Sequence, residues 1–400
     1  MALTPVADAM AMILGAARLL PAEPVKLQQA HGRVLAKAVI ARRDQPPFDT
    51  SAMDGYATRL QDATSGATLN LAGMSAAGHG FRGSVKPGQA IRILTGAPMP
   101  KGADAIVIQE NATLQSSQLK INVAAVANKH VRKRGLDFTS GDILVPQATR
   151  LNARDIGLAA ASGNSILSVR RKPRLAIITT GDELVDPSVK PKTDQIYSSN
   201  TFALEAMAAA WGADVNNLGI VQDSLKATKS AINKALKTSD LLITTGGASV
   251  GDHDFVQQAL KDSGFKMGFW KIAMRPGKPL MFGTKGKCIA LGLPGNPVAA
   301  MVCARLFVYP LLCAMTGTVA DQPDETAILD VGLPANDERQ DYVRATLRPL
   351  PDGRRMVKPA PIQDSSMQRT LRDAQALIVR PPGAPAAKAG DVVPLLLLDF

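Results

Sequence analysis

From Arg174 to Gly317, short apolar runs alternate with longer amphipathic ones, and this alternation limits the possible folds more than any other feature of the chain. PRLAIITTG, DVNNLGIVQD, DLLITTGG and KCIALGLPGNP read as strands. Between and after them, SSNTFALEAMAAAWG, SLKATKSAINKALKTS, DHDFVQQALKDSG and VAAMVCARLFVYPLLCAM read as helices. Ser199 or Asn200 caps the first of these helices, while Asn296 and Pro297 supply the N-cap and first position of the last. Strands alternating with helices predict a mostly parallel sheet covered on both faces. Ligands of such sheets bind beyond the carboxyl ends of the strands.

At 400 residues the chain is too long for one ordinary core, so several domains are expected. Around the sheet segment, 173–317, the flanking sequence is of another kind. Residues 30–146 carry short Val/Ile runs punctuated by Gly and Pro, as in a small inserted β domain. LNARDIGLAAASG reads as a helix capped by Asn152 and stopped at Gly163. The opening helix is expected to pack against it, so 1–29 and 147–172 together form an elongated helical domain. Residues 318–400 return to short β pieces and read as a C-terminal β domain. The expected class is therefore multidomain α/β.

Composition excludes several functions. Hydrophobic residues at 46% and charged residues at 20% are a globular balance, and aromatics at 4% are too few for stacking single-stranded nucleic acid. The opening segment has no basic n-region or cleavage pattern, and no stretch is read as long enough to span a bilayer, so a cytoplasmic protein is expected. Cys288, Cys303 and Cys313 lack metal-finger spacing and read as buried thiols; four scattered histidines offer no zinc helix. The net charge of +12 favours anionic partners, although the runs Lys129–Arg134 and Arg170–Arg174 read most simply as solvated faces.

Chemistry concentrates in loops after the strands. Thr245-Gly246-Gly247-Ala248-Ser249-Val250-Gly251-Asp252-His253-Asp254 follows a strand and opens a helix, where free N–H groups meet anions. Three glycines with two acids exceed what a turn requires. Asp182 and Glu183, after the first strand, either hold Mg²⁺ or cap their turn; Asp223 is either a ligand or an N-cap. Met274-Arg275-Pro276-Gly277-Lys278-Pro279 sets two cations around a rigid turn, an anion clamp rather than a Walker loop. Asp49 and Asp54 in PPFDTSAMDGYA read first as Asx-turn acids.

Taken in order, PPFDTSAMDGYA, LTGAPMPKGADAIV, TTGDEL, YSSN, TTGGASVGDHD, MRPGKP and GLPGNPVAA resemble the molybdopterin molybdenumtransferases, including the E domain of gephyrin. The resemblance covers essentially the whole chain. It implies a three-layer α/β/α molybdopterin-binding domain in a four-part subunit, and a homodimer with its cleft shared between subunits. The implied reaction inserts molybdate into adenylylated molybdopterin and releases AMP with Mg²⁺, after an upstream adenylyltransferase and without nucleic acid or membrane. By position, Gly246, Gly247, Ser249 and Gly251 would cradle the pterin nucleotide, and Asp182, Glu183, Asp223 and Asp254 would lie near Mg²⁺ and pyrophosphate. Asp54, Thr95 and Asp137 match the facing domain. Arg275, Lys278, Arg344 and Ser365 match anion-contact positions, with Pro294 and Pro297 in the same binding set. Catalytic roles fall to Asp54, Asp137, Glu183, Asp223 and Asp254, with Asp223 or Asp254 positioning the attacking oxygen. Ala299 and Ala300 stand where relatives commonly carry a hydroxyl, and Ser366, Arg369 and Gln375 depart from a Ser- and Gly-rich pattern. The adenylyltransferase itself and a gephyrin-like scaffold are the alternative readings.

Overall fold

Helix α1 (Val6–Gly15) opens a chain whose computed structural model describes residues 3–246, 255–320, 325–398 and 400. The chain divides into two units, one built from 1–23, 32–34 and 170–400, the other from 24–31 and 35–169.

In the second unit, Gly55–Thr58 (β1), Thr68–Ser75 (β2), Gln89–Ile93 (β3), Ala105–Ile108 (β4), Ala112–Gln115 (β5) and Gln118–Ile121 (β6) form one sheet. Its order is β4-β1-β3-β2-β6-β5. Tyr56, Leu69, Val107 and Leu119 fill one side, while Ala57, Ile93 and Ile106 fill another small core. Helix α2 (Ala153–Ala161) buries Ala159 with Leu35, Val145 and Leu167.

The first unit holds the anticipated sheet. Arg174–Thr180 (β7), Asp214–Val221 (β8) and Leu241–Thr245 (β9) alternate with Asn200–Ala210 (α3), Leu225–Leu236 (α4) and Phe255–Asp262 (α5). Lys266–Phe269 (β10), Met281–Lys285 (β11) and Cys288–Leu293 (β12) follow, in the order β8-β7-β9-β12-β11-β10. The first four strands in that order are parallel, and β11 and β10 add antiparallel edges. The strands' period of two sorts β7 between two cores. Leu175 and Ile177 pack on the α3 side, whereas Ala176 and Ile178 pack with Ile232, Val256 and Leu260 of α4 and α5.

Pro297–Cys303 (α6), a π turn at Ala304–Val308 and Tyr309–Thr316 (α7) make one long apolar helix, closed by Gly317 in the left-handed region. Pro310 lacks the N–H that a regular helix uses, and the wider π turn precedes it. This helix corrects the expectation that no stretch could span a bilayer: Pro297–Thr316 is long and apolar enough. It is nonetheless a core helix, because most of it is buried against the sheet and α1. The packing of α1 also differs from expectation. Ala9 and Ile13 pack in the same core as Leu311, Leu312 and Met315 of α7.

The C-terminal strands Glu325–Leu329 (β13), Gln340–Pro349 (β14), Arg355–Pro359 (β15), Ala376–Arg380 (β16) and Val392–Leu397 (β17) run β14-β15-β13-β17-β16, and β16 returns to β14. That pairing closes a small barrel in the same unit as the sheet. Val343, Ala345 and Ile378 fill it; Tyr342 and Leu377, one residue out of phase, join the sheet-side core instead.

Candidate active site

At the carboxyl edge of the sheet lies a cavity of about 670 Å³. Its walls come from the ends of β7, β9 and β12, from the turn 275–279, and from residues 363–365 after the barrel strand β15. The sheet therefore meets its ligand space where parallel topology predicts.

The strand-end loops are held by a hydrogen-bond chain of defined polarity. Asn200 Nδ2 donates to Thr245 Oγ1 at 3.0 Å and to the Gly295 carbonyl at 2.7 Å. Thr245 Oγ1 in turn donates to the Pro294 carbonyl at 3.3 Å. Asn200 thus links the first turn of α3 to the loops after β9 and β12. Gly246 has φ +85°, and a Cβ there would collide with the Thr180 carbonyl oxygen, so this close crossing requires glycine. Thr180 lines the cavity, and its buried hydroxyl has no hydrogen-bond partner among the described residues.

Of the acids expected here, Glu183 and Asp223 line the cavity, and Asp182 Oδ1 accepts the Asp223 N–H at 3.1 Å. That bond ties the loops after β7 and β8 together. Gly246, Arg275, Lys278, Pro294 and Ser365 are wall residues too. Pro297 begins α6. Gly247, Ser249, Gly251 and Asp254 lie outside the described residues. Asp54, Thr95 and Asp137 belong to the other unit.

Three expected cations occupy different settings. Arg275 is ion-paired with Asp341 at 2.5 Å and Asp337 at 3.4 Å; the Asp341 hydrogen bond raises its pKa. Its charge is shared with these two carboxylates, while the side chain stays 46% exposed at the cavity. Lys278 is exposed in the cavity, and its ammonium enters no ion pair among the described residues. Gly277 between them, at φ +117°, lies over Cys303, where a Cβ would press on Sγ. Arg344 is only 1% exposed and is not itself a wall residue. It sits opposite the barrel core because Val343 and Ala345 take the inward positions.

Asn296 occupies the N-cap position of α6, but its side chain does not cap the helix. Nδ2 donates instead to Ser365 Oγ at 2.7 Å, and the Ser365 carbonyl accepts the Val298 N–H at 3.1 Å. The amide that local sequence assigns to the helix is used to fix Ser365 at the cavity. Ala299 lines the cavity without a hydroxyl. Next to Ser365, Asp364 accepts from Ser366 Oγ at 2.6 Å and Ser366 N at 2.8 Å, which lowers its pKa.

In the other unit, Asp54 Oδ1 accepts the Thr95 N–H at 2.7 Å and the Thr95 Oγ1–H at 2.8 Å, which lowers its pKa. Asp54 therefore shapes the turn that presents Thr95. The basic runs are partly neutralised: Lys133 pairs with Asp49 at 2.9 Å, Arg134 with Asp44, and Arg171 with Asp240 at 2.9 Å. All three cysteines are free and buried, and burial pushes the Cys288 thiol up to about 12. Sequence reasoning assigned no site role to Asn200, Thr180, Gln363 or Asp364. YSSN is visible as a motif, but only the fold reveals that its Asn reaches two other loops.

Comparison with known proteins gives three family matches. They are "MoeA N-terminal region (domain I and II)" over residues 4–163, "Probable molybdopterin binding domain" over 176–314 and "MoeA C-terminal region (domain IV)" over 326–398. The molybdopterin molybdenumtransferase of Haemophilus influenzae is 33% identical over 374 residues, spanning 93% of this chain and 92% of the relative. That of Nostoc sp. is 40% identical over 303 residues, 74% of this chain and 70% of the relative. A solved structure described as the moeA protein from Pyrococcus horikosii superposes with a TM-score of 0.86 at 27% identity, covering 99% of both chains.

Proposed function

Since the chain belongs to the MoeA family of molybdopterin molybdenumtransferases, we propose that the cavity at the sheet edge is where molybdate joins adenylylated molybdopterin. The activity is that of a transferase in molybdenum cofactor biosynthesis, with molybdopterin and molybdate as substrates. The observation that carries the placement is the cavity's mixed lining: carboxylates of Glu183 and Asp223, with Lys278 and Ser365 as groups suited to an oxyanion.

Two tasks must be served there. Molybdate has to reach the dithiolene sulfurs, and an oxygen has to attack the phosphoanhydride linking molybdopterin to AMP. Lys278 and the Ser365 hydroxyl hold the oxyanion, with Arg344 adding positive charge from behind the wall. Gly246, with Gly247, Ser249 and Gly251 beyond it, offers backbone to the pterin nucleotide. Mg²⁺ typically takes one or two protein carboxylates and completes its shell with phosphate oxygens and water. Glu183 and Asp223 fit that demand, with Asp182 and Asp254 as further acids, although no cluster of three ligating side chains occurs among the described residues. Bound there, Mg²⁺ would neutralise charge on the pyrophosphate. Asp223 or Asp254 positions the attacking oxygen.

The resemblance further supports a homodimer in which Asp54, Thr95 and Asp137 of one subunit face the sheet of the other, and supply of substrate by a molybdopterin adenylyltransferase. It also supports an inserted part at 30–146, a helical part at 147–172, and further parts at 173–317 and 318–400. Three free thiols suit a reducing cytoplasm. The test is AMP release from adenylylated molybdopterin with and without molybdate and Mg²⁺. Release that requires both is expected; adenylylation of molybdopterin from ATP without molybdate would support the neighbouring enzyme step instead.

A further inference from the structure

Arg344 carries a charge to which no carboxylate is hydrogen-bonded among the described residues. Among the described residues its Nη2 is buried without a hydrogen-bond partner, and Nη1 reaches only the Met367 carbonyl, at 3.4 Å. Burial lowers its pKa, so the fold opposes the charge it encloses. Asp364 attracts it through space but is not hydrogen-bonded to it; its Oδ1 accepts from the two Ser366 donors instead. A guanidinium this deeply buried is ordinarily given a carboxylate partner.

Gln363 takes the partner's place. Its Oε1 accepts the Arg344 backbone N–H at 3.0 Å and Nε–H at 3.2 Å. Its Nε2 donates to the Arg344 carbonyl at 3.0 Å and the Ala360 carbonyl at 2.8 Å. Exchanging oxygen and nitrogen would set donor against donor and acceptor against acceptor, so the network fixes the amide orientation. A glutamate would accept from Arg344 equally well, but it would cancel the charge and confront two carbonyl oxygens. Gln363 is also a wall residue of the cavity, beside Asp364 and Ser365.

We infer that Gln363 is a positioning residue for oxyanion use: a neutral clamp that orients Arg344 behind the cavity wall without neutralising it. The cation's field then remains available to a tetrahedral dianion held by Lys278 and Ser365. This inference rests on the proposed placement of molybdate in that cavity.

The experiment compares wild type, Gln363→Glu and Gln363→Met in molybdate titrations of AMP release at saturating adenylylated molybdopterin. Molybdate-induced shifts in thermal unfolding provide a readout independent of turnover. Gln363→Met, which loses the hydrogen bonds but adds no charge, should raise KM for molybdate several-fold. Gln363→Glu should raise it by a further factor of about ten, since a new buried counter-charge opposes anion binding. For both, kcat at saturating molybdate and affinity for adenylylated molybdopterin should stay near wild type. Loss of kcat in proportion to loss of folded protein, with KM unchanged, would make Gln363 structural only. Equal KM for the two variants would refute the charge argument. If Gln363→Glu fails to fold, a folded Gln363→Met with wild-type KM still overturns the inference. A wild type indifferent to molybdate would bring down the reading of the site as well, whereas a responsive wild type with equally responsive variants brings down this inference alone.

Discussion

At the scale of single residues, the site separates cations that look equivalent in sequence. Arg275 and Lys278 flank one turn, yet Arg275 is committed to Asp337 and Asp341, more than sixty positions away, and Lys278 is not. No local pattern could reveal this, because parallel pairing of Arg275 with Asp341 of β14 brings that acid, and Asp337 just before the strand, to the turn. Arg344 poses the converse problem: the chain buries it with Nη2 unpaired among the described residues. Burying a guanidinium carries a desolvation cost of roughly several kcal/mol per ion that an incomplete set of partners repays only in part. Arg344→Met should therefore hold or raise stability in urea denaturation while losing most of the response to molybdate. Lys278→Ala, at an exposed position, should change stability by no more than about 0.5 kcal/mol and also impair oxyanion use. An Arg344→Met protein that unfolds well before wild type yet binds molybdate normally would show that the guanidinium serves the fold.

At the scale of elements, local signals are legible wherever the deciding contact is local. Asn152 is readable as a helix cap, and α2 begins with a full capping box: Asn152 Oδ1 accepts from Arg154 N at 2.8 Å and Asp155 N at 3.2 Å, while Asp155 Oδ2 accepts from Asn152 N at 2.9 Å. Asn152→Ala should cost about 1 kcal/mol, within the range of roughly 0.5–2 kcal/mol for caps of this kind. Denaturant unfolding of the purified variant checks this, and a change indistinguishable from zero would mean the helix is fixed by its packing alone. Asn296, by contrast, satisfies every local rule for a cap and still spends its amide on Ser365, 69 residues later. The strands β10 and β11 escape sequence reading because KMGF and MFGTK are short and glycine-interrupted; antiparallel pairing of β11 with β12, and of β10 with β11, makes them strands. The amphipathic pattern of α1 announces a helix but cannot name its partner, since both α2 and α7 offer apolar faces.

At the scale of the whole molecule, the four-strand parallel run tells where ligands would bind, but it cannot tell that a barrel supplies the cavity's remaining wall. That wall depends on residues 363–365 reaching α6, a contact without periodic signature in the sequence. The proposed dimer raises the same question across chains, and it can be tested in solution. Asp54 shapes the Thr95 turn in one unit, whereas Glu183 lines the sheet cavity in the other. If each catalytic cleft combines the first from one subunit with the second from its partner, Asp54→Ala and Glu183→Ala homodimers should each be nearly inactive. A mixed dimer would collect both lesions in one cleft and leave the other intact. Co-expression with two different tags, followed by sequential purification, isolates that mixed species. Its AMP release should approach half of the wild-type rate per dimer. If the wild-type chain runs as a monomer in solution, the shared cleft is wrong. It is equally wrong if the mixed dimer is folded and as inactive as its parents, because two lesions confined to separate subunits would then each disable the cleft of their own chain.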